Sequence, residues 1–258
     1  MTSIAIVRNR GPVVASATVG SLSFPGGAST ANSGSVRIPR TGAMDLNAGT
    51  IEFFITASAT AGHNAQEIAP GANYNLTNSN IILDGDNSGT RGFIIGLSAG
   101  VLVFGINTSG GARTIAGSTD LRDGLPHHVY VYRNGALLEL GVDGVREASF
   151  STGPTGLITY DGDAPATDAY HYFCKEKLNA TWGCRCLLSE IRFSSGFQRY
   201  SGTTYTVPTA RLEPDANTTG LYHMNEQDGL TMGDSSGNGF HGELVGNPVP
   251  SWSSARPF

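Results

Sequence analysis

The stretch that most restricts the fold of this chain is HHVYVYRNGALLELGVDGVREASF, His127 to Phe150. Apolar and polar residues alternate through it, and alternation places successive side chains on opposite faces of an extended backbone. Asn134-Gly135 and Asp143-Gly144 interrupt the pattern with the residue types that supply the positive φ of two-residue hairpin turns. The segment predicts three consecutive antiparallel strands. TIEFFITA from Thr50 repeats the period, with Ile51, Phe53 and Ile55 on one side and Glu52, Phe54 and Thr56 on the other. GFIIGLSAGVLVFGI reads as a hairpin around Ser98-Ala99-Gly100, and SLSF, SVRIP and LLSEIRF add further strands. No capped helix is visible beyond a short turn over Ser195 to Tyr200.

A chain of 258 residues with 35 glycines and few charges suits short strands joined by tight turns. A single sheet of so many strands would leave an apolar face in water. The expected fold is therefore all-β, two antiparallel sheets stacked as a jelly-roll sandwich. No linker divides the chain, so the expected organisation is an N-terminal arm over residues 1–19 and one domain over 20–258 closed by the C-terminal strands. Fourteen arginines and two lysines are scattered, and the formal net charge is −5, which argues against nucleic acid as a partner. No apolar run approaches the roughly 20 residues of a membrane-spanning helix. MTSIAIVRNRGPVV places Arg8 and Arg10 after its apolar patch, the reverse of a secretory signal.

Four segments, taken in order, resemble the laminin-G-like branch of the concanavalin-A-like lectin and glucanase superfamily. GSLSFPGG followed by LNAGTIEFFI is similar to the family's opening strands, with Phe54 where Trp is common. LPHHVYVYRNGALLELGVDGV resembles its central meander, with Pro126 where a Trp often precedes the His. LSEIRFSSGFQRYSGTTYTVP looks like the stretch that ends many such domains, especially in tailed-phage structural proteins. LYHMNEQDGLTMGDSSGNGFHGELVG resembles a strand, turn, strand signature, with Met224-Asn225-Glu226 in place of Phe-Asp-Glu. Only twelve residues follow Gly246, too few for a second sandwich. The strands of the signature are thus expected to close the same body and bring its two ends together.

The run from Asp234 to Gly239, DSSGNG, admits two readings. Asp, Ser and Asn bond neighbouring amides and glycine accepts unusual backbone angles, which is turn chemistry. Alternatively, Asp234 supplies a carboxylate and Asn238 an amide oxygen to a hard cation that takes about six to eight oxygens. The resemblance implies structural calcium in such a loop. A weaker calcium candidate is DGDNSGTRGFII, where Asp84, Asp86 and Ser88 hold alternate ligand positions but Ile95 stands in place of the closing Glu. Cys174, Cys184 and Cys186 with His171 make a four-ligand zinc candidate whose spacing matches no standard pair of knuckles; one disulfide or ordinary thiols are the alternatives.

Catalysis is not expected. Glucanases of the superfamily carry Glu-x-Asp-x-x-Glu on one strand, so that alternation gathers the carboxylates on one face. The nearest approach, Glu213-Pro214-Asp215, ends in Thr218 and contains a proline unsuited to a central strand. His127 and His128 are adjacent and point to opposite faces. What remains is a surface on which Tyr130, Tyr132, Tyr160, Tyr170, Tyr172 and Trp182 are candidates for stacking on sugars, although Tyr130 and Tyr132 are expected to pack between the sheets or against a neighbour. The leading expectation is a non-catalytic protein of a virion surface, bound to viral capsid or tail proteins as a homo-oligomer or part of a larger assembly. The alternative is a carbohydrate-binding lectin for surface glycans, extracellular by a route without a classical signal peptide.

Overall fold

The computed structural model describes residues 20–25, 34–58, 80–85, 92–158, 170–175 and 183–255; the arm over residues 1–19 lies outside them. Among the described residues every regular element is a strand, and two eight-stranded antiparallel sheets result. With strands numbered in chain order, sheet I runs β10 (Val145–Phe150), β9 (Leu137–Val142), β8 (Asp123–Asn134), β3 (Ala48–Ser58), β12 (Arg185–Ser195), β1 (Ser21–Pro25) and β16 (Ser251–Ser253). A further strand, β13 (Thr218–Tyr222), pairs with the second half of β12. Sheet II runs β14 (Thr231–Met232), β15 (Gly242–Val245), β2 (Ser35–Pro39), β11 (Tyr170–Phe173), β4 (Asn80–Asp84), β5 (Gly92–Ser98), β6 (Val101–Thr108) and β7 (Gly111–Asp120).

Alternation decides what lies between the layers. Ile51, Phe53 and Ile55 of β3 and Val129 and Val131 of β8 join Val36, Ile38, Phe93, Ile95 and Phe104 of sheet II in one cluster, each no more than 1 % exposed. Full burial of such side chains contributes roughly 1.5–3 kcal/mol apiece, the main drive for stacking the sheets.

The central meander forms with one shift of register. Asp143 (φ 46°) and Gly144 (φ 89°) both take left-handed backbone between Val142 and Val145, the pattern of a two-residue hairpin. The other hairpin turns one residue later than its Asn-Gly pair suggests. Asn134 stays in the ladder opposite Leu137, and Gly135 (φ 56°) and Ala136 form the turn, with only the glycine left-handed. At the far end of the chain, β16 pairs with β1, Ser253 opposite Ser21, while β15 pairs with β2. The strands around DSSGNG therefore belong to the same sandwich as the first strands.

One segment adds a partial third layer. After Ser195 the chain returns over residues 196–217 across the outer face of sheet I before β13 begins. Thr50 Oγ1 donates to Phe197 O at 2.8 Å, Arg146 N to Thr203 O at 2.9 Å, and Tyr205 N to Gly144 O at 2.7 Å. Arg199 forks onto both oxygens of Asp215 and so clasps the segment to itself.

Candidate functional site

The alternation that sends Ile51 and Phe53 inward sends Glu52 outward, and likewise His128 and Tyr130 on β8. The return segment covers all three. Glu52 Oε1 accepts from Arg192 Nε at 2.8 Å and Nη2 at 2.7 Å; Oε2 accepts from the Tyr200 hydroxyl and lies 3.2 Å from His128 Nε2. Donation by Nε2 leaves His128 Nδ1 to accept from the Tyr205 hydroxyl at 3.1 Å. Burial alone would raise the Glu52 carboxyl, but the His128 hydrogen bond and the Arg192 charge outweigh it and hold the group below the usual carboxylate range. The Tyr200 hydroxyl is driven far up, first by burial and then by the neighbouring Glu52 charge.

Tyr130 stacks with Tyr200 at 5.0 Å and Tyr205 at 5.1 Å between ring centroids, and burial pushes its hydroxyl up to about 12. Tyr130 and the buried Tyr132 thus occupy the outer face of sheet I, so of the two expected placements, between the sheets or against a neighbour, the first does not hold. Further along the face, Glu190 Oε2 accepts from Leu212 N at 3.0 Å and pairs with His223 Nδ1 at 2.8 Å. A carboxylate beside an imidazole is the vocabulary of acid-base catalysis. Here the Glu52 and His128 side chains have 0 % exposure and are taken up by protein partners. Sequence reasoning passed over this cluster, although a Glu at the outward position of an otherwise apolar strand was a signal for it.

The DSSGNG loop is a self-satisfied turn. Asp234 Oδ1 accepts from Leu221 N at 3.1 Å and Ser236 N at 2.9 Å; Oδ2 accepts from Ser236 Oγ and Phe240 N, both at 2.9 Å. Burial would raise this carboxyl, yet the donors prevail and lower it. Asn238 turns its Nδ2 to the carbonyls of Thr219 at 3.2 Å and Thr218 at 3.4 Å, so its nitrogen and not its oxygen faces them. A cation needs free oxygen lone pairs. The donors around Asp234 already take them, and this set does not fit calcium. Asp84 is buried within β4 opposite Tyr172, while Asp86, Ser88 and Gly89 lie outside the described residues. Among the described residues no three His, Cys, Asp or Glu side chains group as a metal site. The three cysteines gather without His171, whose Nε2 lies 3.7 Å from Asp45 Oδ1.

The outer face of sheet II is different. Arg37 stands opposite Tyr172 in the β2–β11 pair, and because Val36, Ile38, His171 and Phe173 point inward, Arg37, Tyr170 and Tyr172 point out. The Arg37 guanidinium lies 4.6 Å from the Tyr170 centroid, Lys175 Nζ lies 5.3 Å from that of Tyr172, and the rings are 6.4 Å apart at 62°. Glu243 of β15 accepts two bonds from Arg37, at 2.9 and 2.6 Å, which raises the guanidinium pKa further. The Arg37 and Glu243 side chains remain 33 % and 56 % exposed, and both rings are partly open. Two of the tyrosines named from sequence therefore share one accessible face. Tyr160 and Trp182 lie outside the described residues.

Residues 77–168 match the laminin G domain family. A solved Bacteroides ovatus protein proposed to bind carbohydrate superposes with a TM-score of 0.57 at 14 % identity over 92 % of this chain and 60 % of that one. This chain thus spans less than two thirds of that protein's length. Domains LG4-5 of the mouse laminin alpha1 chain match with a TM-score of 0.42 at 15 % identity over 75 % of this chain and 46 % of theirs. A heptameric SAP-like pentraxin from Limulus polyphemus matches with 0.46 at 12 % identity over 68 % and 76 %. No curated protein sequence matches the chain. The fold is a laminin-G-like, concanavalin-A-like β-sandwich.

Proposed function

We propose that this chain is a non-catalytic, lectin-like module that binds surface glycans through the β2–β11 face. The observation that carries the reading is the partly open pair Tyr170 and Tyr172, flanked by Arg37, Glu243 and Lys175. A sugar ring offers an apolar C–H face to an aromatic ring and a rim of hydroxyls to charged hydrogen-bonding groups. This face supplies both on two paired strands, which hold side chains more rigidly than loops do. The carbohydrate binding proposed for the Bacteroides ovatus protein supports the reading by analogy of fold. Its non-catalytic character is supported by the coverage of Glu52 and His128.

A glycan array tests the proposal. The expected result is saturable binding that Tyr170→Ala and Tyr172→Ala each weaken about tenfold or more without lowering Tm. Binding retained by the double variant overturns the site, and silence across a broad array overturns the glycan reading.

A second reading places the module on a tailed-phage particle, joined to capsid or tail proteins. It is supported by the resemblance of LSEIRFSSGFQRYSGTTYTVP to virion proteins. That stretch forms the end of β12 and much of the return segment, where its contacts are made within the fold. In this reading the particle is contacted by a lateral face of the sandwich or by residues 1–19. Deletion of residues 1–19 is expected to leave Tm unchanged and to abolish incorporation into particles; unchanged incorporation overturns the arm as the contact.

A further inference from the structure

We propose that Cys174 and Cys186 are a redox couple that staples sheet II to sheet I. Cys174 directly follows β11 in sheet II, and Cys186 is the second residue of β12 in sheet I. Their sulfurs lie 3.6 Å apart across the interior, between residues twelve positions apart in the chain. A disulfide requires about 2 Å, so the remaining approach is on the order of a side-chain rotation.

The backbone holds the two thiols in this relation. Cys174 N donates to Ile82 O at 2.9 Å and Cys184 N to Ile81 O at 2.8 Å, which pins both cysteine segments to adjacent residues of β4. Gly183 lies so close to Cys174 that a Cβ there would sit 1.8 Å from its carbonyl oxygen; only glycine permits the approach. Cys174 itself adopts a left-handed backbone, φ 54°, unusual for a residue with a side chain. Cys184, which directly precedes β12, is buried in the same core and remains the spectator thiol.

Burial pushes the Cys174 and Cys186 thiols up, and a hydrogen bond with Cys186 followed by burial does the same to Cys184. Since the thiolate is the reactive form, the folded reduced protein resists oxidants, and the bond closes while the chain folds. Two thiols give up two protons and two electrons to form the S–S bond. A small disulfide oxidant such as glutathione disulfide accepts them and departs as two thiols. The product cross-links the two layers and restricts the unfolded chain.

Trypsin separates the three cysteines, because Lys175, Lys177, Arg185 and Arg192 lie between or beside them. The test refolds the full chain in a glutathione redox buffer and maps its peptides without reduction. The expected map joins the Cys174 peptide to the Cys186 peptide and leaves Cys184 free to alkylate, and Tm rises by roughly 5–10 °C over the reduced protein. Cys184→Ser keeps both features, whereas Cys186→Ser loses both. A bond through Cys184, or three alkylated thiols in fully refolded protein, overturns the proposal. The wild-type map decides the matter should a variant fail to fold.

Discussion

The outer faces of the two sheets carry similar residues and treat them in opposite ways. Sheet I presents Glu52 and Arg192 with Tyr130, joined by Tyr200 and Tyr205 of the return segment; sheet II presents Glu243 and Arg37 with Tyr170 and Tyr172. On sheet I residues 196–217 cover the set, and the Glu52 side chain is 0 % exposed. On sheet II this set stays partly open, with the Glu243 side chain 56 % exposed, although the same face is closed over β4 to β6, where Asp84, Ile81, Ile94 and Val103 are buried. A carboxylate, a guanidinium and tyrosines act as internal cement when water is excluded, because each polar atom must then find a protein partner. Left in water, the same groups are free to exchange solvent for a ligand.

The comparison breaks most visibly at its two carboxylates. Glu52→Ala leaves Arg192 and His128 buried without their partner and is expected to cost about 3–5 kcal/mol in chemical denaturation. Glu243→Ala removes an exposed ion pair and is expected to cost less than about 1 kcal/mol. Equal costs would erase the distinction between the faces. The DSSGNG turn comes next: Asp234→Ala removes the acceptor of four hydrogen bonds and is expected to cost about 1–3 kcal/mol. Calcium and a chelator are expected to leave the wild-type melt unmoved, and a chelator-sensitive melt would reinstate the cation.

Tyrosine substitutions sharpen the contrast. Tyr200→Phe withdraws a donor from Glu52 and is expected to lower stability by about 1–2 kcal/mol without altering glycan binding. Tyr172→Ala is expected to do the reverse, weakening binding about tenfold or more at unchanged Tm. The smallest effect is a pH dependence. Burial lowers the His127 pKa, but Asp143 and Asp123 outweigh it and place the folded value above 6.5. Stability from the protonated imidazole is present in full below the unfolded value and is lost as pH rises through the folded one. His127→Gln is therefore expected to flatten the profile of Tm against pH above about 6.5.

Much of this architecture was legible because strand chemistry is local. The meander, the hairpin of β5 and β6, and the inward face of β3 follow from alternation and turn residues alone. β7, GARTIAGSTD, lacks large alternating residues and is recognisable only by its pairing with β6 and by Glu147, which accepts from Ser118 N and Thr119 N across the edge. Asp234 stayed ambiguous because the oxygens that receive amides also receive cations. The position of the Leu221 and Phe240 amides, far off in sequence or across the turn, decides between them.

The sequence by itself determined which side chains share a face, since the two-residue period is a property of the extended backbone and needs no distant partner. It placed Glu52 and Phe53 on opposite sides of β3, and Tyr130 and Tyr132 on the same side of β8. Only the tertiary structure decided that the Glu52 set on the outward face of sheet I is covered. That depends on where residues 196–217 travel after leaving β12, and their path is set by contacts such as Tyr200 to Glu52, made between residues far apart in the chain.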